Sequence, residues 1–162
     1  MALIGVKLGH LSVERDRRAF LGGLVDLCAQ ATDAERCTVY VVDRERRELR
    51  AEAAHRLGLE LQLPFGRGLA GHVAATGETI NVPDAYADPR FDSSVDQVSG
   101  YRTANILAVP VWDERGDAPV GVIQVLNKRG AAFERTDQMV LERIAAAVAP
   151  RLAELSRASS SR

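Results

Sequence analysis

Gly66, Gly68 and Gly71 stand at the spacing with which many nucleotide sites cradle a pyrophosphate. That chemistry needs a parallel strand–helix–strand unit and an acidic residue about 20 positions on. The strands predicted around these glycines are joined by hairpins, so the dinucleotide reading is rejected. His10, His55 and His72 are far apart, and a single i, i+4 pairing, His10 with Glu14, is too few ligands, so no metal site is expected. Cys28 and Cys37 lie among apolar neighbours and read as two reduced core thiols rather than a disulfide. Lys128 and Asp137 have the side chains for proton transfer, and His72 for a general base. Structural roles account for all three more simply, and no catalytic residue is assigned.

A second kind of chemistry fits better. From Pro64 to Val111 the chain mixes glycines, short polar residues and prolines with apolar ones more densely than anywhere else. Irregular segments held by a rigid scaffold carry most binding chemistry, so this stretch reads as the wall of a pocket. Thr38 and Gln124 add to it from outside. Each is a polar residue inside an otherwise apolar strand and needs a hydrogen-bond partner, which a bound molecule could supply.

The rest of the sequence sets limits. At 162 residues, 46% hydrophobic and 27% charged, it suits one globular domain with a single core. A net charge of −1 offers no footprint for nucleic acid. Residues 1–13 lack a secretory core and no span has transmembrane length, so a cytoplasmic protein without membrane contact is expected.

The elements that must position the pocket follow from periodicity. After a leader at 1–12, Ser12 can cap a helix to about Thr32, whose Phe20, Leu21, Leu24, Leu27, Cys28 and Ala31 share a face. Gly22 and Gly23 should weaken its middle. Strands are expected at Cys37–Val42, Leu49–His55, Leu59–Phe65, Glu78–Val82, Asn105–Trp112 and Val120–Asn127. The polar turns after Val42 and Trp112 make antiparallel hairpins. A short helix is predicted over Gly68–Thr76, ended by Gly77. Residues 84–104 read as loop with one or two helical turns. A last helix runs from about Arg135 to Leu155, with Pro150 expected to kink it. The two strands after residue 105 are apolar almost throughout, so both faces of the sheet must be covered. The terminal helices take one face and the 66–104 segment the other. The domain is placed at 13–155, with 156–162 a disordered tail. Leu152 and Leu155, expected at the domain's edge, suggest a homodimer through the terminal helices.

The sequence resembles the GAF domain family, in particular the domains of cyclic-nucleotide phosphodiesterases and bacterial adenylyl cyclases. The matching segments are Gly68-Leu69-Ala70-Gly71-His72-Val73-Ala74, Asn81 through Phe91, and Gly100-Tyr101-Arg102-Thr103-Ala104-Asn105-Ile106-Leu107. A fourth comprises Asn127-Lys128, Phe133 and Asp137, followed by Gln138 where the family pattern has Glu. The resemblance implies an α+β fold: a six-stranded antiparallel sheet, terminal helices on one face, and a ligand pocket under short helices and loops on the other. It implies a regulatory domain of a signalling protein that binds a cyclic nucleotide, cAMP or cGMP, as ligand, with no required cofactor and with an output domain outside this chain. The cyclic phosphate would lie on the backbone N–H groups of Leu69 and Ala70, since a helix start suits an anion without basic side chains. The family's contacts carry over to Thr38, Asp96, Ser99, Thr103 and Gln124. Asp92, where a relative has a tyrosine, joins these ligand-binding candidates, and Ala54-His55 replaces an aromatic–acid pair. Lys128 and Asp137 resemble a salt bridge joining the last strand to the last helix. Two other readings remain. One is a ligand-free dimerisation module. The other is a free methionine sulfoxide reductase, whose cysteine relay needs pocket thiols that the 66–104 segment lacks.

Overall fold

The structure is a computed structural model describing residues 2–55 and 62–161. Leu59–Leu61 of the expected third strand, and Met1 and Arg162 at the ends, lie outside the described residues. Six strands form one antiparallel sheet: β1 (Ala34–Asp43), β2 (Glu48–Ala54), β3 (Gln62–Pro64), β4 (Ile80–Val82), β5 (Ile106–Trp112) and β6 (Pro119–Lys128). Their order is β3-β2-β1-β6-β5-β4, which puts the two longest strands at the centre.

Both faces of the sheet are covered, as the continuous apolar runs require. Cys37, Val39, Val41, Leu107, Val109, Ile123 and Val125 point into a core closed by α2 (Arg17–Thr32) and α5 (Arg135–Ser160). Tyr40, Val42, Ile106, Ala108 and Val122 face the other way, under α3 (Gly68–Thr76) with its Leu69, Ala70, Val73 and Ala74. α3 ends on Gly77, left-handed at φ 73°, whose N–H returns to the carbonyl of Val73 at 2.8 Å.

The largest departures from expectation lie at the two ends of the chain, where distant contacts override local pattern. The leader is a helix, α1 (Ala2–Val13), which packs Ile4, Leu8 and Leu11 onto the helical core. A methyl group on Gly23 would stand 2.6 Å from Leu11 Cδ2, so that glycine permits the helices' close approach rather than merely weakening α2. Ser12 therefore lies within α1 and donates to the carbonyl of Gly9. The N-cap of α2 is Asp16, whose carboxylate accepts from Ala19 N at 2.8 Å.

At the other end α5 does not fray after Leu155. It continues through Pro150 to Ser160, with Ser156 and Ser159 buried and Ser156 Oγ donating to the Val42 carbonyl at 2.5 Å. Leu152 and Leu155 are buried within the chain rather than offered to a partner. The apolar residues left exposed at this end are Leu3, Val6 and Val13 on α1. No helix among the described residues is long and apolar enough to cross a membrane.

Candidate ligand cavity

β1 and β6 are paired so that Thr38 stands opposite Gln124, and alternation turns both toward the face away from the terminal helices. Above them lies a cavity of about 90 Å³. Thr38, Leu69, Ala70, Asp92, Asp96, Ser99, Thr103 and Gln124 all line it. Residues from two strands, a helix start and the lid between β4 and β5 thus meet at one place. Among the described residues, neither the Thr38 hydroxyl nor the Gln124 amide makes a side-chain hydrogen bond, which leaves both polar groups for whatever enters.

The start of α3 enters the cavity through Gly68, Leu69 and Ala70, and no side chain caps its N–H groups. The glycine spacing that imitates a dinucleotide fingerprint has another cause here. Gly66 and Gly68 take φ of 80° and 69°, and Gly66 N donates to the Gly71 carbonyl at 3.0 Å. A methyl group on Gly71 would lie 2.9 Å from the Pro64 carbonyl oxygen. The glycines fold the segment after β3 tightly back onto α3, and so aim the helix start at the sheet.

Asp92 sits beside that helix start. Its carboxylate accepts from Ser94 N and from Arg67 Nε, both at 3.0 Å. The bonds from Ser94, and then the Arg67 guanidinium, hold its pKa below the usual carboxylate range. The chain thus places a negative charge, tied to Arg67, beside the helix start.

The lid is held by its own carboxylate. Asp96, on α4 (Ser94–Ser99), is buried. It accepts from Tyr86 Oη at 2.7 Å and from Thr103 N and Thr103 Oγ1, each at 2.8 Å. Asp96 and Thr103, both expected to touch a ligand, are thus bonded to each other. Of the roughly four lone-pair sites on a carboxylate, one remains open. Tyr86 also packs on Phe91, ring centroids 5.1 Å apart, with the Arg102 guanidinium 4.4 Å over its ring. The hydrogen bond to Asp96 raises the pKa of Tyr86 above that of a free phenol.

Asn127 closes the lid's far end in a left-handed conformation at φ 57°. Its side-chain oxygen accepts from Ala104 N at 2.6 Å, and its amide donates to Arg102 O and Tyr101 Oη at 2.9 and 2.8 Å. Next to it, Lys128 Nζ reaches Asp137 Oδ2 at 2.5 Å, and that oxygen also accepts from Glu134 N at 2.7 Å. The last strand and last helix are therefore joined by an ion pair that doubles as a helix cap. Phe133 is buried in the helical core, and its carbonyl accepts from Asn81 Nδ2 at 2.9 Å.

Arg36, Phe91 and Tyr101 also line the cavity without having been assigned to a ligand from the sequence, as does His55, noted there only as part of a replaced pair. Arg36 was within reach by alternation, two positions from Thr38 on the same face. His55 was not, because its place depends on pairing across β1, where its Nδ1 accepts from Cys37 N at 3.0 Å. That bond puts the ring proton on Nε2, which donates to Asp26 at 2.7 Å. His72 is not a core residue: it faces Glu78 Oε2 at 3.3 Å, half-buried and away from the cavity. Cys28 and Cys37 are free thiols in the helical core, and burial pushes the Cys37 thiol up.

The family model for the GAF domain matches residues 16–152. Among curated relatives, a dual 3',5'-cyclic-AMP and -GMP phosphodiesterase 11 from Drosophila melanogaster is 46% identical over 82 residues, half of this chain and 6% of the relative's length. The chain therefore corresponds to a small part of the curated protein it matches. Among solved structures, the GAF domain of an Acinetobacter phosphoenolpyruvate-protein phosphotransferase superposes with a TM-score of 0.81 at 21% identity, covering 96% of this chain and 94% of that one. A free methionine-R-sulfoxide reductase from Neisseria meningitidis has a TM-score of 0.75 at 24% identity, covering 96% and 89%. Likeness at these identities concerns the fold alone. With the six-stranded sheet, the covering helices and the family match over most of its length, the chain belongs to the GAF domain family.

Proposed function

We propose that this GAF domain is the sensor part of a cytoplasmic signalling protein and binds a cyclic nucleotide, cAMP or cGMP, in the cavity between the sheet and the 84–104 lid. The observation that carries the reading is the convergence of the eight candidate residues on one cavity with the bare start of α3 in its wall. A cyclic phosphate on the N–H groups of Leu69 and Ala70 would gain both hydrogen bonds and the helix dipole. Thr38 and Gln124 supply polar contacts from the floor. Asp96 takes one ligand N–H at its open lone pair, and Thr103 lends its hydroxyl from the lid. Ligand pockets usually run to about 300–1,000 Å³, so a cavity of about 90 Å³ requires the lid to move outward on binding. That movement couples occupancy to the Tyr86–Asp96–Thr103 bonds, and through Asn127 to the strand before α5. It gives the domain a route to an output domain.

The domain acts by binding rather than catalysis in this reading. A thiol relay would need cysteines at the cavity, and both cysteines sit in the helical core across the sheet. A homodimer is part of the proposal, with Leu3, Val6 and Val13 of α1 as its apolar contact instead of Leu152 and Leu155. Calorimetric titration of the purified chain with cAMP and cGMP tests the central point. A melting temperature that neither nucleotide shifts at millimolar concentration would sink the nucleotide reading, and the domain would then sense another small molecule or serve only in pairing.

A further inference from the structure

The donor pole at the start of α3 has a fixed negative charge beside it. A methyl group on Gly68 would lie 3.7 Å from Asp92 Cβ, and both residues line the cavity with Leu69 and Ala70. An aspartate in such a place ordinarily caps the helix. Asp92 does not. Ser94 N donates to its Oδ1 and Arg67 Nε to its Oδ2, and among the described residues no N–H of α3 bonds to it. The carboxylate therefore adds charge to the pole without using up its donors.

Arg67 offsets that charge from outside. Its side chain is 60% exposed and is not part of the cavity wall, so water screens the pair and the compensation is partial. The other basic side chains lining the cavity are engaged elsewhere, Arg36 over the Tyr101 ring and His55 with Asp26. A phosphate on Leu69 and Ala70 thus meets the partial positive charge of a helix start, one full negative charge and one cation at the rim. A phosphate diester brings a single negative charge to this balance. A phosphate monoester brings about −1.5 to −2 at pH 7, and the pole has no further cation for it.

We propose that Asp92, partly offset by Arg67, is a charge filter that admits a singly charged phosphate diester and disfavours the doubly charged monoester. The domain would by this means tell a cyclic nucleotide from the 5'-nucleotide formed when its ring is hydrolysed. The inference rests on the proposed nucleotide site.

The test is titration of the 162-residue chain, as wild type, D92N and R67M, with four probes of one base, adenine or guanine, whichever the wild type binds tighter. The probes are the nucleoside, its 3',5'-cyclic phosphate, its 5'-monophosphate and the methyl ester of that monophosphate. The methyl ester is linear yet singly charged, so it separates charge from ring closure. Two like charges about 6 Å apart, at an effective dielectric between those of a protein surface and water, cost roughly threefold to a hundredfold in affinity. In the wild type the 5'-monophosphate should bind more weakly than its methyl ester by a factor in that range. D92N, whose amide oxygen can still take the Ser94 N–H, should bring the two together. R67M leaves Asp92 without its counter-ion and should widen the gap, with nucleoside affinity unmoved in both variants. Melting temperatures without nucleotide check that each variant folds. A wild type that binds the monophosphate as tightly as the methyl ester, or a gap that D92N leaves unchanged, overturns the filter and leaves the nucleotide site standing. Nucleoside affinity that shifts as far as the monophosphate's also overturns it, since the substitution would then act on shape. No binding of any phosphate probe to the wild type or D92N overturns both.

Discussion

Replacing Asp137 by alanine should destabilise the domain by about 2–4 kcal/mol without altering the cavity. Asp137 Oδ2 holds two partners, Lys128 Nζ at 2.5 Å and Glu134 N at 2.7 Å, and the residue is buried. Losing the cap bond costs about 1 kcal/mol. Losing a charge-assisted bond costs about 1.5–3 kcal/mol, and the Lys128 side chain, only 18% exposed, is then left short of a counter-ion. For a domain of this size each kcal/mol moves the melting temperature by about 2–4 °C, so a fall of roughly 5–15 °C is expected. Asp137→Asn keeps an oxygen for Glu134 N and should lose only about half as much. Urea unfolding of the wild type and both variants gives the energies, and nucleotide titration of each gives the cavity. An Asp137→Ala variant with wild-type stability, or one that keeps stability and loses binding, would refute the structural assignment.

Three further outcomes are expected. Asp96→Ala removes the acceptor for Tyr86 and Thr103, so nucleotide affinity should fall roughly tenfold to a hundredfold and the Thr103 amide should exchange faster; unchanged affinity would take Asp96 out of the site. Tyr40, Tyr86 and Tyr101 all have pKa values raised in the fold, the first and third chiefly by burial, the second by its bond to Asp96. Folding therefore favours their protonated forms, a contribution present below about pH 10 and lost as pH rises beyond it. At pH 10 the native protein should show less phenolate absorbance than the same chain in denaturant, and equal absorbance would contradict the packing of these rings. If α1 forms a dimer, light scattering at high micromolar concentration gives twice the monomer mass and Val6→Glu reduces it to one; a wild-type monomer ends that proposal.

Much of the cavity could be read in the sequence because its floor is strand and strands alternate. Thr38 and Gln124 interrupt apolar runs, so their common face followed from a period of two, and the register that sets them opposite each other obeys the same rule. Gly68 to Gly77 carried its own helix start and stop. The ends of the chain did not. Serines at 156–160 look like a fraying tail, and it is burial together with contacts such as that of Ser156 with the carbonyl of Val42, 114 positions earlier in the chain, that holds them in the helix.

What the sequence determines by itself is therefore the local order: six strands, the α3 segment, the terminal helices, and the side of the sheet on which each polar residue falls. Periodicity and turn chemistry act between neighbours, and neighbours suffice for these. Only the tertiary structure decided that Asp96 and Thr103 bond to each other, that Arg36 rests on Tyr101, and that His55 completes the pairing of Cys37. Each of these needs two elements brought together by packing, and long-range packing leaves no repeating mark in the chain from which the partner could be read.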